Sequence, residues 1–360
     1  MVGQGALYGM AIPSSYSLGI WCIFAYELIY FASLGSFRQR WYELFLASHI
    51  VLQVLALAFL WMHFFTCRPY INASLLIFCV DRLVWRLGLK STTVSADLTV
   101  LPDGETFVMS ANWDMPTILK RQAFSPADWF RHNIKYGWRP TDHVFITVLA
   151  LGRTHALQAH PFTIASAAPG RYYDAQPDRH AWFSLLIRAH SGFTSDLLSY
   201  AHRHQSVSVR FDGPYGSSHA LEMLRAADTA ILVAGGSGIA VTFPLVWALL
   251  MDEESRASQK VHLLWVIHSP EHISWMPRER LDELVDAGLE LVIPQPTALA
   301  GRPDVVGCVN KWVSKSNAAR GQAAVVVSGP DGLNRMVRDT CAEAIRKGAD
   351  VRIAVEKFGW

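Results

Sequence analysis

Long apolar runs crowd the start of the chain and then stop. They span residues 14–35, 44–66 and 70–85, whereas beyond residue 90 apolar positions come in short runs cut by turn residues. The stretch from Leu44 to Phe65 is the clearest membrane-spanning element, because about 20 apolar residues in a helix cross the hydrocarbon core. The first run is interrupted only by Glu27 and small polar residues. The third is short and ends at Asp81-Arg82, so it reads either as a further span or as a core helix of the adjoining soluble domain. Basic residues at Arg38 and Arg40, and again at Arg82, Arg86 and Lys90, suit three spans with the long C-terminal part in the cytosol. Arg68, in the loop on the other side, runs against that count. No basic region precedes the first apolar run, so no signal peptide is expected.

From residue 90 the runs Thr106–Ser110, His143–Leu149, Trp182–His190 and Val207–Phe211 alternate with turn residues, the pattern of a small antiparallel barrel. From 219 onward strand and helix alternate: Thr229–Ala234, Val241–Met251, Val261–Ile267, Leu289–Ile293, Ala323–Val327 and a helix from Gly332 to Arg346. That is the pattern of a Rossmann-like parallel sheet. The expected domains are therefore 1–88, 89–218 and 219–360.

Composition agrees with a mixed protein. Of 360 residues, 51% are hydrophobic and 17% charged, with a mean hydropathy of +0.19. Ordinary soluble chains carry charge on roughly a quarter of their residues. A net charge of +2 gives no reason to expect a nucleic-acid partner. The five cysteines, Cys22, Cys67, Cys79, Cys308 and Cys341, show neither CxxC spacing nor a disulfide framework.

Chemistry-bearing residues fall into three groups. His49 and His63 lie fourteen residues apart in the second apolar run. On a helix they share one face and stand about 21 Å apart along the axis. Each is suited to a different haem, inner at His49 and outer at His63, since haem iron takes an axial imidazole nitrogen. A polar side chain packed into the bundle interior is the other reading, as it is for Gln53. His160-Pro-Phe-Thr-Ile-Ala-Ser166 joins a proline-fixed backbone to the Thr163 and Ser166 hydroxyls, the kind of edge that hydrogen-bonds a flavin ring. Phe162 there is equally a core residue. Arg188 offers a cation for phosphate and Gly192 a close backbone approach, although Arg188 also reads as an exposed strand charge. Gly235-Gly-Ser-Gly-Ile239 follows the first strand of the parallel sheet and opens a helix, placing backbone N–H groups where a pyrophosphate binds.

These elements resemble the fungal ferric-reductase and NADPH-oxidase flavocytochrome superfamily over nearly the whole chain. Arg40-Trp-Tyr-Glu-Leu-Phe-Leu-Ala-Ser-His49, with Trp61-Met-His63, is similar to the family's fifth membrane helix and the loop before it, and Asp81-Arg82 to the end of the sixth. By that alignment the chain starts near the fourth helix, without the earlier helix that carries the other histidine pair, and is expected to be N-terminally truncated. The resemblance implies FAD contacts by His160, Pro161, Phe162, Thr163, Ile164 and Ser166, and by Arg188, Gly192, Phe193 and Thr194 in a pyrophosphate element. It implies NADPH contacts by Gly235, Gly236, Ser237, Gly238 and Ile239, and by Gly329 and Pro330 in Ser328-Gly-Pro330, where Ser328 replaces the common cysteine. Ser328 and the terminal Trp360, a ring that can cover the flavin until nicotinamide displaces it, are the catalytic candidates; Trp360 also reads as core packing. His268 stands where the family usually places the arginine that meets the 2′-phosphate, and Arg278 or Arg280 are possible substitutes. Two departures stand out. Thr141-Asp142 replace the usual Gly-Gln ahead of His143, and the segment between Trp113 and Lys135 holds extra sequence.

The fold class implied is multi-domain: an α-helical membrane segment, a ferredoxin-reductase-like β-barrel FAD domain and a Rossmann-like α/β NADPH domain. The implied function is a transmembrane ferric-chelate reductase, passing electrons from NADPH through FAD and haem b to chelated Fe(III) or Cu(II). Its setting would be a multi-pass protein among the lipids of the plasma membrane, with the FAD and NADPH domains in the cytosol; a second subunit is an open question. The alternatives are a superoxide-generating NADPH oxidase, a membrane-tethered flavin reductase and a degenerate non-catalytic membrane protein.

Overall fold

Apolar runs too long for strands become helices, and the short alternating runs become two sheets. The computed structural model describes residues 15–86, 91–115, 133–152, 155, 158–169, 180–251 and 258–356. Trp360, Lys90 and most of the extra sequence after Trp113 lie outside the described residues. The chain divides into a helical unit ending at Leu87 and a larger unit from Gly88.

The helical unit contains α1 (Ser15–Ala32), α2 (Gly35–Arg40), α3 (Tyr42–His63) and α4 (Arg68–Arg86). Among the described residues one helical stretch, Leu44–His63, is long and apolar enough to cross a membrane. Tyr16–Ala32 is apolar but shorter. The third expected span, α4, contains Arg68, Asp81, Arg82 and Arg86 and does not meet the same measure. Small residues let α1 approach α3: Cys22 and Ala25 are buried on one helix and Ala56 on the other, and the Cys22 thiol reaches the Ala56 carbonyl at 3.4 Å. Outward positions such as Ile20, Ile23, Ile50, Val51 and Val54 are exposed large apolar side chains. The Arg68 guanidinium stacks over Trp61 at 4.2 Å and donates to the Trp61 carbonyl at 3.0 Å, closing the end of α3.

The larger unit begins with β1 (Ser91–Val100), β2 (Thr106–Asp114), β3 (His143–Thr147), β4 (His160–Thr163), β5 (His180–Arg188) and β6 (Ser206–Tyr215), with α5 (Phe193–Ala201) between the last two. The sheet order is β4-β3-β6-β1-β2-β5 and every pairing is antiparallel. The sheet curls until its two edges meet at a single bridge, Ile164 to Leu185, giving the expected barrel. Alternation decides which side chains enter it: Ala181, Phe183, Leu185 and Ile187 of β5 face Val207, Val209 and Phe211 of β6 in one core. Leu197 of α5 joins the same core.

A helix α6 (His219–Ala226) leads into β7 (Thr229–Gly235), α7 (Ile239–Leu250), β8 (Lys260–Val266), α8 (Arg278–Asp286), β9 (Leu289–Val292), α9 (Thr297–Ala300), α10 (Val305–Ala318), β10 (Ala323–Ser328), α11 (Asp331–Arg346) and β11 (Val351–Val355). These five strands form a parallel sheet in the order β11-β10-β7-β8-β9. The strand β7 is buried at every position, as a strand covered on both faces must be. The order reverses between β7 and β10. In open α/β sheets ligands bind beyond the carboxyl ends of the strands at such a point.

The departure at Thr141-Asp142 has a physical signature. Thr141 takes φ +74°, in the left-handed region that disfavours a β-branched residue, and its hydroxyl donates to the Ser217 carbonyl at 2.9 Å. Asp142 is buried, and burial pushes its carboxyl up to about 6 although it accepts a 2.7 Å bond from the Arg139 N–H. A carboxyl whose folded pKa lies above its unfolded value binds more protons when folded between those two values. The cost of ionising it inside the fold is therefore present above pH 6 and vanishes below about pH 4. Asp142→Asn keeps an acceptor for Arg139 and removes the charge. It is expected to stabilise the protein by about 2–3 kcal/mol at pH 7.5 and by nothing measurable at pH 4. Urea unfolding at both pH values checks this, and an equal gain at both would mean that ionisation of Asp142 is not the cause.

Candidate functional site

Two groups of residues gather on the larger unit. On the barrel, β4 carries His160, Pro161, Phe162 and Thr163, all half-buried and paired with Ile146, Phe145, Val144 and His143 of β3. The His160 ring stacks on Phe193 at 4.0 Å and 18°, and its Nε2 lies 3.3 Å from Gln158 Oε1. Burial and the neighbouring His155 hold the His160 imidazole below its ordinary pKa, favouring the neutral ring. Thr163 and Ser166 flank Ile164. The Ser166 hydroxyl accepts from the Ser184 N–H at 3.0 Å, fixing the backbone beside the seam.

The side chains of two expected flavin contacts lie in the barrel core. Ile164 is 1% exposed and its side chain belongs to the barrel core, so it contributes backbone to the seam. Phe193 is also a core residue and supports the His160 ring. Arg188 ends β5 with its guanidinium partly exposed and pairs with Glu105 at 3.0 Å. Both the phosphate reading and the strand-charge reading thus begin from an ion pair. Next to it, Gly192 takes φ +59° at the start of α5, and a Cβ built there meets nothing within 4 Å. Thr194 Oγ1 accepts from the His190 N–H at 3.0 Å and closes the loop. This open backbone turn beside a guanidinium fits a diphosphate.

The second group lies where the parallel sheet reverses. Gly235 ends β7, Gly236–Gly238 form one 3₁₀ turn with Gly236 at φ +56°, and Ile239 begins α7 as a fully buried core residue. Ser328 ends β10 next door, followed by Gly329 and Pro330. The two segments touch closely enough to exclude side chains. A Cβ on Gly238 would overlap the Ser328 carbonyl, and one on Gly329 would stand 2.9 Å from Gly235 Cα. The turn's backbone N–H groups precede a helix, an arrangement that fits a second dinucleotide.

Ser328, expected among the catalytic residues, is fully buried. Its hydroxyl donates to the Glu356 carbonyl at 2.8 Å, so the side chain ties β10 to the segment after β11 and is not presented at the surface of the turn. His268 is exposed just beyond β8 and its Nδ1 lies 3.0 Å from Thr297 Oγ1. Arg278 and Arg280 pair with Asp282 and Glu283 on their own helix.

Several residues that sequence reasoning missed surround the turn. Trp265 is fully buried and donates its indole N–H to the Gly236 carbonyl at 3.0 Å. Trp275, 3% exposed, donates to Asp103 on the β1–β2 turn at 2.9 Å. His272 stacks on Trp275 at 4.0 Å, and burial together with the Arg188 charge keeps its imidazole below the ordinary value. The one signal in the sequence was Trp275 standing just ahead of the amphipathic α8.

In the helical unit, His49 and His63 both lie on α3. Buried His49 Nδ1 has no hydrogen-bond partner, and the His63 ring lies against Gly19 of α1, where a Cβ would stand 2.9 Å from Cε1. A bis-imidazole haem takes two such ligands. The helical unit has no histidine besides these two, and the described residues hold no cluster of three or more His, Cys, Asp or Glu. These residues alone do not complete a haem site.

Sequence and structure comparisons match these parts separately. Residues 129–219 match the family model of an FAD-binding domain, and residues 221–347 that of the C-terminal domain of an adenylate-forming reductase. A probable cell surface ferric reductase of Aspergillus oryzae is 26% identical over 255 residues, covering 69% of this chain and 32% of the relative. Ferric reductase transmembrane component 4 of Saccharomyces cerevisiae is 27% identical over 245 residues, covering 67% and 29%. Over about two thirds of its length this chain is similar to ferric-reductase transmembrane components. Ferric/cupric reductase transmembrane component 7 of the same yeast is 24% identical, covering 70% and 37%. The chain thus spans about a third of the length of the ferric-reductase components it matches. Among solved structures, a ferredoxin–NADP+ reductase from Plasmodium falciparum is a remote likeness, 11% identical with a TM-score of 0.49, covering 74% of this chain and 97% of that one.

Proposed function

We propose that this chain is the flavin- and NADPH-binding part of a ferric-chelate reductase held in the plasma membrane, with FAD on residues 89–218 and NADPH on 219–360. The observation that carries the reading is the pairing of two sites on one unit. A match to an FAD-binding domain covers the barrel segment with the His160–Ser166 edge, and a glycine turn lies at the reversal point of the sheet that succeeds it. The helix Leu44–His63 supports membrane attachment, and relatives named as transmembrane components support it further.

When bound, FAD converts a two-electron hydride donor into single-electron transfers to a metal acceptor. The protein's part is positioning. His160, Thr163 and Ser166 orient the ring edge, while Arg188 and the Gly192–Thr194 turn hold the diphosphate. The Gly235–Gly238 turn and Gly329-Pro330 hold the pyrophosphate of NADPH, with His268 next to the adenosine end. No side chain has to act as acid or base for hydride transfer. The natural acceptor in this reading is a chelated ferric or cupric ion. A membrane-tethered flavin reductase is the second reading.

The full chain in detergent, loaded with FAD and titrated anaerobically with NADPH, is expected to lose its flavin absorbance and then to reduce ferric citrate. His160→Ala with Thr163→Ala is expected to weaken FAD binding about tenfold or more, since two hydrogen-bonding groups at about 0.5–1.5 kcal/mol each are removed. Stoichiometric flavin after gel filtration of that variant would overturn the site. Ferric reduction by a preparation with flavin absorbance and no Soret band would favour the tethered reductase.

A further inference from the structure

We propose that Trp275 and Asp103 couple the two nucleotide sites, so that a dinucleotide on the Gly235–Gly238 turn and a flavin dinucleotide at Arg188 bind cooperatively. The inference rests on the proposed reading of those two sites and adds a connection between them. The connection is continuous. Arg188 pairs with Glu105 at 3.0 Å, and the Glu105 and Thr106 N–H groups donate to Asp103 Oδ1 at 3.2 and 2.9 Å. The other carboxylate oxygen, Oδ2, accepts from Trp275 Nε1 at 2.9 Å. The far edge of the same indole lies 3.8 Å from where a Cβ on Gly236 would stand, inside the glycine turn.

The Trp275 end of this path is tightly packed, while the Arg188–Glu105 pair lies at the surface. Trp275 is 3% exposed, His272 covers one of its faces, and Trp265 grips the Gly236 carbonyl from another direction. Leu101 and Leu186 of the barrel pack directly against the core of the parallel sheet around it. Hydrogen bonds from Thr106, Trp275 and Glu105 outweigh the effect of burial and hold the Asp103 carboxyl below its usual range. An anion that draws Arg188 away from Glu105 alters the turn that carries Asp103. The indole bonded to Asp103 carries that change to the packing beside Gly236. Trp275 and Asp103 are positioning residues, acting through the two turns they join. Coupling of this kind is reciprocal and commonly amounts to about 5–150-fold in affinity.

The experiment measures FAD affinity of the full chain in detergent by flavin fluorescence, alone and with saturating NADP+, and NADP+ affinity with and without FAD. In the wild type, NADP+ is expected to tighten FAD about fivefold or more, and FAD to tighten NADP+ by the same factor. Trp275→Phe keeps an aromatic side chain and removes both the donor and the far edge of the indole. Asp103→Asn turns an amide N–H₂ towards either the indole or the backbone donors. Each is expected to bring the factor to within about twofold of unity, with the double variant no lower, because both break one bond. A role in stability alone would lower the unfolding temperature and leave the factor intact. That result, or a wild-type factor of one, overturns the proposal. Wild-type protein that binds either ligand singly not at all overturns the site reading, and the coupling with it.

Discussion

Gly238→Ala is expected to abolish useful NADPH binding and to destabilise the parallel sheet. The methyl group would overlap the carbonyl of Ser328, which belongs to a fully buried position on the neighbouring strand, so neither partner can yield by rotating a side chain. Overpacking of this sort typically costs about 1–3 kcal/mol and occasionally more. Either β7 and β10 separate or the turn tilts, and both displace the backbone N–H groups proposed to meet a pyrophosphate. An affinity loss of about tenfold for each 1.4 kcal/mol results if the strain is borne by the binding conformation. Calorimetric titration with NADP+, together with thermal unfolding, separates the two effects. Full affinity in a folded Gly238→Ala protein would show that the pyrophosphate lies elsewhere.

Phe183→Ala is the larger blow to the barrel. Phe183 is 1% exposed and meets Trp138 edge-on at 5.5 Å, Phe211 at 4.8 Å and Trp113 at 5.9 Å. Truncating a buried phenylalanine costs about 3–5 kcal/mol, because the cavity left behind closes only in part. The consequence extends to the site, since the same strand carries Leu185 at the seam and Arg188 at its end. Urea unfolding followed by tryptophan fluorescence should show the loss, with FAD occupancy falling alongside it. A change under about 1 kcal/mol would mean that the three surrounding rings collapse into the space.

Much of this was legible in the chain because backbone demands leave local marks. The glycines at 235, 238 and 329 sit where side chains cannot fit, and Gly192 and Gly236 where φ is positive, so their spacing announced the turns. Three strands escaped notice, among them the four-residue β4, whose His160–Thr163 was read only as a flavin-lining edge. β1 opens with Ser91-Thr-Thr93 and carries its alternation partly on the small Ala96, while β11 is a five-residue parallel strand at the end of the chain. Without β11 the Glu356 partner of the Ser328 hydroxyl could not be found, and Ser328 was read from the Ser-Gly-Pro resemblance alone. The contact between Trp275 and Asp103 joins residues 172 positions apart. No periodicity reports such a pair. The unusual Asp142 was visible as a departure from the family pattern, but its burial and raised pKa exist only in the folded chain.

The seam of the barrel bears on how the protein is loaded. Around most of its circumference the sheet is held by extended ladders, yet β4 and β5 meet through one bridge, with the Ala165 N–H donating to Ser184 at 2.9 Å and the Ser184 N–H to the Ser166 hydroxyl at 3.0 Å. A cylinder fastened this lightly along one line can open there while every other strand pair stays intact. The expected flavin contacts flank that line, on β4 and at the end of β5. A cofactor laid across it acts as a rivet, adding its own binding free energy to the closed form alone. Rigidity of the barrel then becomes a measure of flavin supply, and a cell short of flavin would hold this protein folded but unlatched, with its weakest line open to proteases.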